Sequence, residues 1–232
     1  MLCAVCISIT LASNAQSLKK YIQLNAGGYA VDQRIGNIPD PDYDMYGFGP
    51  GYSGGISGGV IKGRWKLELG IHHLTLLEQR KRTQAFGQLD PLTGTITSSS
   101  EAEVKTSERY RHIMVPLTVS YNLVKPGGKW SLSPSAGVAY SYNYKHETRI
   151  QGAPGENEDW KETSYLGNEL VQNSLWGHAG IEAGYNITPR LMFIAAPQVS
   201  YMLTSFISRE RSNFTQHTLM IGGNIGIRYL FL

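Results

Sequence analysis

Cysteine is nearly missing from this 232-residue chain: its only two, Cys3 and Cys6, fall among the first six residues. A chain relieved of that segment has no disulfide, thiolate nucleophile or cysteine-based metal site. Long apolar runs are missing too. No window approaches the roughly eighteen consecutive apolar residues of a membrane-spanning helix, so helical spans are excluded. A bias of charge is also lacking: 21 Lys and Arg against 18 Asp and Glu leave a formal net charge of +3, with both signs mixed through the polar stretches. That distribution carries no nucleic-acid footprint. The low mean hydropathy does not argue against a membrane location, because a barrel strand turns only every second side chain to lipid.

The first fifteen residues stand apart from the rest. Met1 to Ala15 is uncharged, rich in Leu, Ala, Val and Ile, and closes on Ser13-Asn14-Ala15 before Gln16. Small residues at the last and third-last positions fit a secretory cleavage site, so 1–15 is expected to be a signal peptide and 16–232 the mature domain. The basic residue that normally opens such a peptide is missing, which a start codon placed too far downstream would explain. Cys6 follows the bulky Val5 with little apolar sequence before it, so export is preferred to lipid attachment at that cysteine.

Alternation dominates the remainder of the chain. Eight runs of roughly ten residues with period two have the length a tilted transmembrane β-strand needs. In the last, Leu219, Ile221, Gly223, Ile225, Ile227, Tyr229 and Phe231 oppose Met220, Gly222, Asn224, Gly226 and Arg228. Earlier runs behave alike: Leu191, Phe193, Ala195, Val199, Tyr201 and Leu203 against Met192, Ala196, Gln198 and Ser200; Leu175 to Tyr185 against Trp176, His178, Gly180 and Glu182. Further runs start at Trp130, His112 and Trp65, the last reaching about Leu77, and two Gly-rich ones cover 21–31 and 53–62. Gly63-Arg64, residues 125–129 and Thr188-Pro189 read as tight turns. Four long polar connections cover 32–52, 78–108, 145–172 and 204–216. Short turns at one end and long loops at the other are the asymmetry of an eight-stranded antiparallel up-and-down β-barrel of a Gram-negative outer membrane, with both termini in the periplasm.

Aromatic placement decides which face meets lipid. Trp65, Tyr121, Trp130, Tyr185, Phe193, Tyr229 and Phe231 lie on apolar faces at the turn-side ends; Tyr140, Tyr142, Tyr144 and Tyr201 lie on the same faces at the loop-side ends. Trp130 and Tyr140 are ten residues apart, about 33 Å of strand or about 25 Å of height at a tilt near 40°. A soluble lipocalin-like cup would turn its apolar faces inward instead and has no reason to form two aromatic rings. Pro116, Pro134 and Pro197 interrupt proposed strands, and bulges are the expected remedy. Thr95-Ile96-Thr97 leaves open an extension of the strands flanking 78–108.

Ser13-Asn14-Ala15-Gln16 looks like an export junction common in Bacteroidota, and His112-Ile113-Met114-Val115-Pro116-Leu117 resembles the strand with an Ile-Pro-Leu-like core in PorT-like outer-membrane β-barrels. The closing Ile225-Gly226-Ile227-Arg228-Tyr229-Leu230-Phe231 is similar to a terminal strand read by the barrel-assembly machinery, although Leu232 follows the aromatic. The resemblance implies an outer-membrane barrel of this size. It does not imply a single activity, because such barrels serve secretion systems and cell-surface complexes among other roles.

Candidate chemistry collects on the inward faces: Lys66, Glu68, His72, His112, His178, Glu182, Gln198, Asn224 and Arg228. An eight-stranded interior is just wide enough for side chains to fill it, so a packed polar network is expected, with Glu182–Arg228 and Lys66–Glu68 as pairs. A solute conduit along these groups is the alternative. A lipid enzyme is a further one, but His112 has no hydroxyl on its own strand face until Thr118, and His178 and Glu182 are too far apart along one strand to touch. Asp40-Pro41-Asp42-Tyr43-Asp44 departs from a calcium loop at Met45 and Gly51. No catalytic, metal or cofactor residue is therefore assigned. The expectation is a non-enzymatic barrel that contacts lipid through its belt and protein partners through its rims or loops, such as the aromatic stretch Tyr43, Tyr46, Phe48 and Tyr52.

Overall fold

The computed structural model describes residues 18–36, 49–89, 96–124, 128–152, 159–162, 172–205 and 215–231. The expected export segment, both cysteines, the 40–44 acidic stretch, Tyr46, Phe48 and Leu232 lie outside the described residues. Among those residues every regular element is a strand: β1 (Lys19–Gly36), β2 (Gly49–Lys62), β3 (Trp65–Leu89), β4 (Ile96–Tyr121), β5 (Trp130–Gln151), β6 (Lys161–Glu162), β7 (Asn173–Asn186), β8 (Leu191–Met202) and β9 (Thr215–Phe231). Each long strand pairs antiparallel with its neighbours, β1 also pairs with β9, and the pairings return to the start, so eight strands form a closed ring. Among the described residues the two-residue β6 pairs with β5 alone, at Glu147↔Glu162 and Thr148↔Lys161. Closure leaves the ring without an edge, which matters in hydrocarbon, where each unpaired backbone group costs several kcal/mol.

The turns stand at one end together with the start of β1 and the end of β9. Lys20 pairs with Phe231 there, and Lys62 with Trp65 across the Gly63-Arg64 turn. Gly63 has φ 61°, a left-handed conformation that a side chain resists. At the opposite end the strands outrun the expected loops. Residues 78–108 are mostly not a loop: β3 and β4 stay paired from Trp65↔Tyr121 out to Leu89↔Ile96. β5 likewise continues to Gln151, beside β4 as far as Lys105.

The prolines are accommodated differently from the expected bulges. At Pro116 the β3–β4 ladder passes from Leu69↔Leu117 to His72↔Met114 with its register unchanged. At Pro197 the β7–β8 ladder passes from Gly180↔Gln198 to Ala183↔Ala195 in the same way. Pro134 sits one residue past the last β4–β5 rung, Ser120↔Ser135, so its missing N–H is not needed on that side. Irregularities do occur, but away from the prolines: the β3–β4 register shifts between Gln88 and Leu89, and at Tyr144 His112 pairs with Asn143 and Arg111 with Lys145, leaving Tyr144 as the extra residue.

Candidate functional site

The outward faces form a continuous apolar belt. Leu24, Leu69, Ile71, Ile225 and Ile227 are each at least half exposed, and Ile56, Leu117, Val138, Ile181 and Val199 join them. In water a patch of this extent would be an aggregation surface, whereas against acyl chains it is the required solvent match. At the turn end the belt is bounded by Trp65 against Tyr121 (ring centroids 5.0 Å), Trp130 against Tyr185 (4.7 Å) and Tyr229 against Phe231 (5.3 Å). Phe193 pairs with Tyr185 at the same level. At the loop end Tyr140, Tyr142, Tyr144 and Tyr201 face outward, with Tyr144 Oη 2.8 Å from His73 Nε2. An apolar band flanked by two aromatic girdles with the polar face inside is the reverse of a lipocalin cup. The chain is an outer-membrane β-barrel.

The interior has three levels. Nearest the turns, Lys66, Glu68, Glu182 and Arg228 form a quartet of two positive and two negative charges. Arg228 is 2% exposed; it donates from Nη1 to Glu182 Oε1 and from Nη2 to Glu182 Oε2, both at 2.9 Å, and from Nε to Gln23 Oε1 at 2.7 Å. Its Nη2 lies 3.5 Å from Glu68 Oε2, and its guanidinium carbon stacks over Tyr21 at 4.4 Å. Lys66 bonds to Glu182 and approaches Glu68 Oε2 at 3.7 Å, while Tyr21 donates to that same oxygen at 2.6 Å. Met192, Ile194 and Leu230, all buried, close the barrel around this level.

Hydroxyls, amides and imidazoles occupy the middle. His72 Nε2 lies 3.1 Å from Ser57 Oγ and 3.4 Å from Asn25 Nδ2; His178 Nε2 lies 2.9 Å from Thr118 Oγ1. Tyr29 donates to Asn224 Oδ1 at 2.7 Å and accepts from Gln198 Nε2 at 3.2 Å. All of these groups but Ser57 border a cavity of about 80 Å³, room for a few waters and far below the several hundred Å³ of a typical ligand site.

The loop-side level corrects the picture of a wholly polar core. Val31, Leu74, Leu76, Tyr110, Trp176, Met202 and Met220 pack together there, with Trp176 at 0% exposure. Trp176 and Met220 stand on inward faces in sequence, but Leu74 and Leu76 end a run whose phase alone does not announce a plug. His112 and Ser141 lie at the edge of this cluster, Nδ1 to Oγ 3.0 Å apart. Reading along one strand misses this hydroxyl because it comes from β5. Both side chains are fully enclosed, so an acyl group outside the barrel has no approach to Ser141 Oγ. Tyr21, Gln23, Asn25 and Ser57 also escape the sequence-based selection; the inward phase of β1 and β2 is the signal that carries them.

Just above the loop-side girdle the outward face changes from apolar to charged. Arg111 Nη2 lies 2.9 Å, Lys145 Nζ 3.0 Å and Arg109 Nη1 3.4 Å from the Glu147 carboxylate. Burial pushes the Glu147 carboxyl up, but the Lys145 hydrogen bond and the charges of Arg111, Lys145 and Arg109 outweigh it and hold the group below the usual carboxylate range. Trp160 lies against the Arg109 and Arg149 guanidinium groups, 3.9 and 4.9 Å from ring centroid to guanidinium carbon.

No family model and no curated protein matches the chain. Solved structures do. A major outer membrane protein from Thermus thermophilus is 17% identical, covering 93% of this chain and 100% of that one with a TM-score of 0.48. Neisserial surface protein A is 12% identical over 90% of this chain and 96% of its own, with a TM-score of 0.42. The N-terminal β-barrel domain of Pseudomonas aeruginosa OprF is 10% identical over 91% and 97%, with a TM-score of 0.39. The architecture itself rests on the closed ring and the lipid-facing belt.

Proposed function

We propose that this barrel works without catalysis, as a rigid mount that binds a protein partner at its loop-side rim, as a subunit of a surface or secretion assembly, one of the several roles with which the PorT-like resemblance is compatible. The observation supporting this reading is the β3–β4 ribbon. β2 accompanies β3 only to Gly51↔Leu76, and β5 accompanies β4 only to Lys105↔Gln151, yet β3 and β4 continue to Leu89 and Ile96. The part of β3 past Leu76 spans about 40 Å of extended chain. Among the described residues neither outer edge of the ribbon's far part has a partner, and such edges accept added strands or docked surfaces. The plugged, charge-paired interior disfavours the solute-conduit reading, and the closing Ile225–Phe231 run is the segment offered to the assembly machinery.

The test is a mild-detergent isolation of the tagged protein from native outer membranes, beside a variant whose residues 80–104 are replaced by a two-residue turn. A partner recovered at near-equal copy number with the full chain and lost with the shortened one supports the reading. Recovery of the barrel alone, or of the same partner with both chains, overturns the assignment to the ribbon.

A further inference from the structure

We propose that the outward face of the β4–β5 extension, where Arg109, Arg111 and Lys145 surround Glu147, binds a phosphate of an anionic lipid headgroup in the outer leaflet. This does not rest on the partner reading above. Ile113 and Tyr142 are paired and point to lipid, and the next outward pair, beyond the Tyr144 bulge, is Arg111↔Lys145, followed by Arg109↔Glu147. The cluster therefore begins within about 10 Å of the tyrosines that mark the interface. A ligand on this face is held in the plane of the membrane, at the depth where headgroups lie.

Arg109, Arg111 and Lys145 share the Glu147 carboxylate, and Arg149, two residues past Glu147 along β5, stands beside Trp160. The exposed Glu162 of β6 lies 4.0 Å from Lys145, so four cations against two carboxylates leave the group a net charge of +2. Arg111 and Lys145 side chains are each 31% exposed and Arg109 23%, while Glu147 is 10% exposed, so the cations are the accessible members of the cluster and the carboxylate the covered one. Glu147 gathers the three positive groups before any ligand arrives, and Trp160 fixes the Arg109 guanidinium from the other side. Guanidinium pairs suit phosphate oxygens by geometry as well as charge, and each basic residue near an anionic lipid surface adds appreciably to binding. An acidic protein loop would meet the same charge, but only by descending to the interface alongside the tyrosine girdle.

The experiment measures binding of two probes to the full barrel in zwitterionic micelles: lipid A carrying its glucosamine phosphates, and the same lipid with the phosphates removed. The wild type is expected to prefer the phosphorylated lipid by about tenfold or more, a margin that shrinks as salt is raised. Arg111→Gln with Lys145→Gln abolishes the margin, and Glu147→Gln widens it several-fold by unmasking the cations. Each variant is checked for the heat-dependent gel mobility of a folded barrel; if the double variant does not fold, Glu147→Gln and the salt series decide. Equal binding of the two lipids, a margin indifferent to these substitutions and to salt, or inorganic phosphate competing as well as the lipid overturns the proposal.

Discussion

Replacing Arg228 with Met removes the group that holds the interior charges in balance. Arg228 makes three short hydrogen bonds, two to Glu182 and one to Gln23, and approaches Glu68. Without it the quartet falls from a net charge of zero to −1 inside the barrel. Glu182 and Glu68 keep Lys66, so neither carboxylate is stranded, and the cost belongs at the lower end of the range for breaking a buried pair, about 3 kcal/mol. The companion Arg228→Met with Glu182→Gln restores neutrality, leaving Lys66 with Glu68. It is expected to cost less than the sum of the single changes by about 1.5–3 kcal/mol. Urea unfolding in lipid vesicles, followed by tryptophan emission, gives the four free energies of the cycle. A single Arg228→Met costing below about 1 kcal/mol, or additivity within about 0.5 kcal/mol, would refute the idea of a coupled quartet.

Gly137→Ala puts a Cβ 2.1 Å from the Leu117 carbonyl oxygen and 2.7 Å from His178 Nε2, whereas a Cβ at Gly28 meets nothing within 4 Å. The first should destabilise by about 1–3 kcal/mol and the second by less than about 0.5 kcal/mol in the same titration; equal costs would contradict the packing described. Ile225→Arg, within the lipid-facing belt, should cost about 2–4 kcal/mol, and a neutral result would move the membrane boundary. The depressed Glu147 carboxyl contributes stability that is fully present above the unfolded-state range, near pH 4, and is lost as pH falls through its lower folded value. The stability difference between wild type and Glu147→Gln should therefore shrink on acidification below about pH 4; a constant difference would detach Glu147 from its cations.

The strands were legible because lipid demands an apolar face and the interior tolerates Ser, Gly and Asn, so period two is written strongly from Trp130 to Tyr144 and from Leu219 to Phe231. The Glu182–Arg228 contact follows from two opposite inward charges near the turn end. Lys66 reaching Glu182 does not, because the two approach across the lumen rather than along a ladder. The β3–β4 ribbon was hidden for the same reason that the belt was visible: outside the membrane neither face must be apolar, and residues 78–108 show no alternation to read. Register between strands is not written in either strand alone, which conceals Ser141 beside His112 and the extra residue at Tyr144. Prolines were readable as interruptions, but whether a ladder answers with a bulge or a skipped rung depends on the neighbour strand.

The charge quartet draws on β1 through the Gln23 and Tyr21 contacts, on β3, on β7 and on β9, and β1 meets β9 along the seam from Lys20↔Phe231 to Gly36↔Thr215. Glu182 and Arg228 can meet across β8 alone, and Lys66 and Glu68 share β3, but the two pairs face each other only when the sheet curls into a ring. A half-wrapped sheet therefore holds two separate neutral pairs, without the Lys66–Glu182 and Arg228–Glu68 contacts between them. Closing the ring and joining the pairs into one network become one event, so a chain that stalls open forgoes those contacts until the ring is complete.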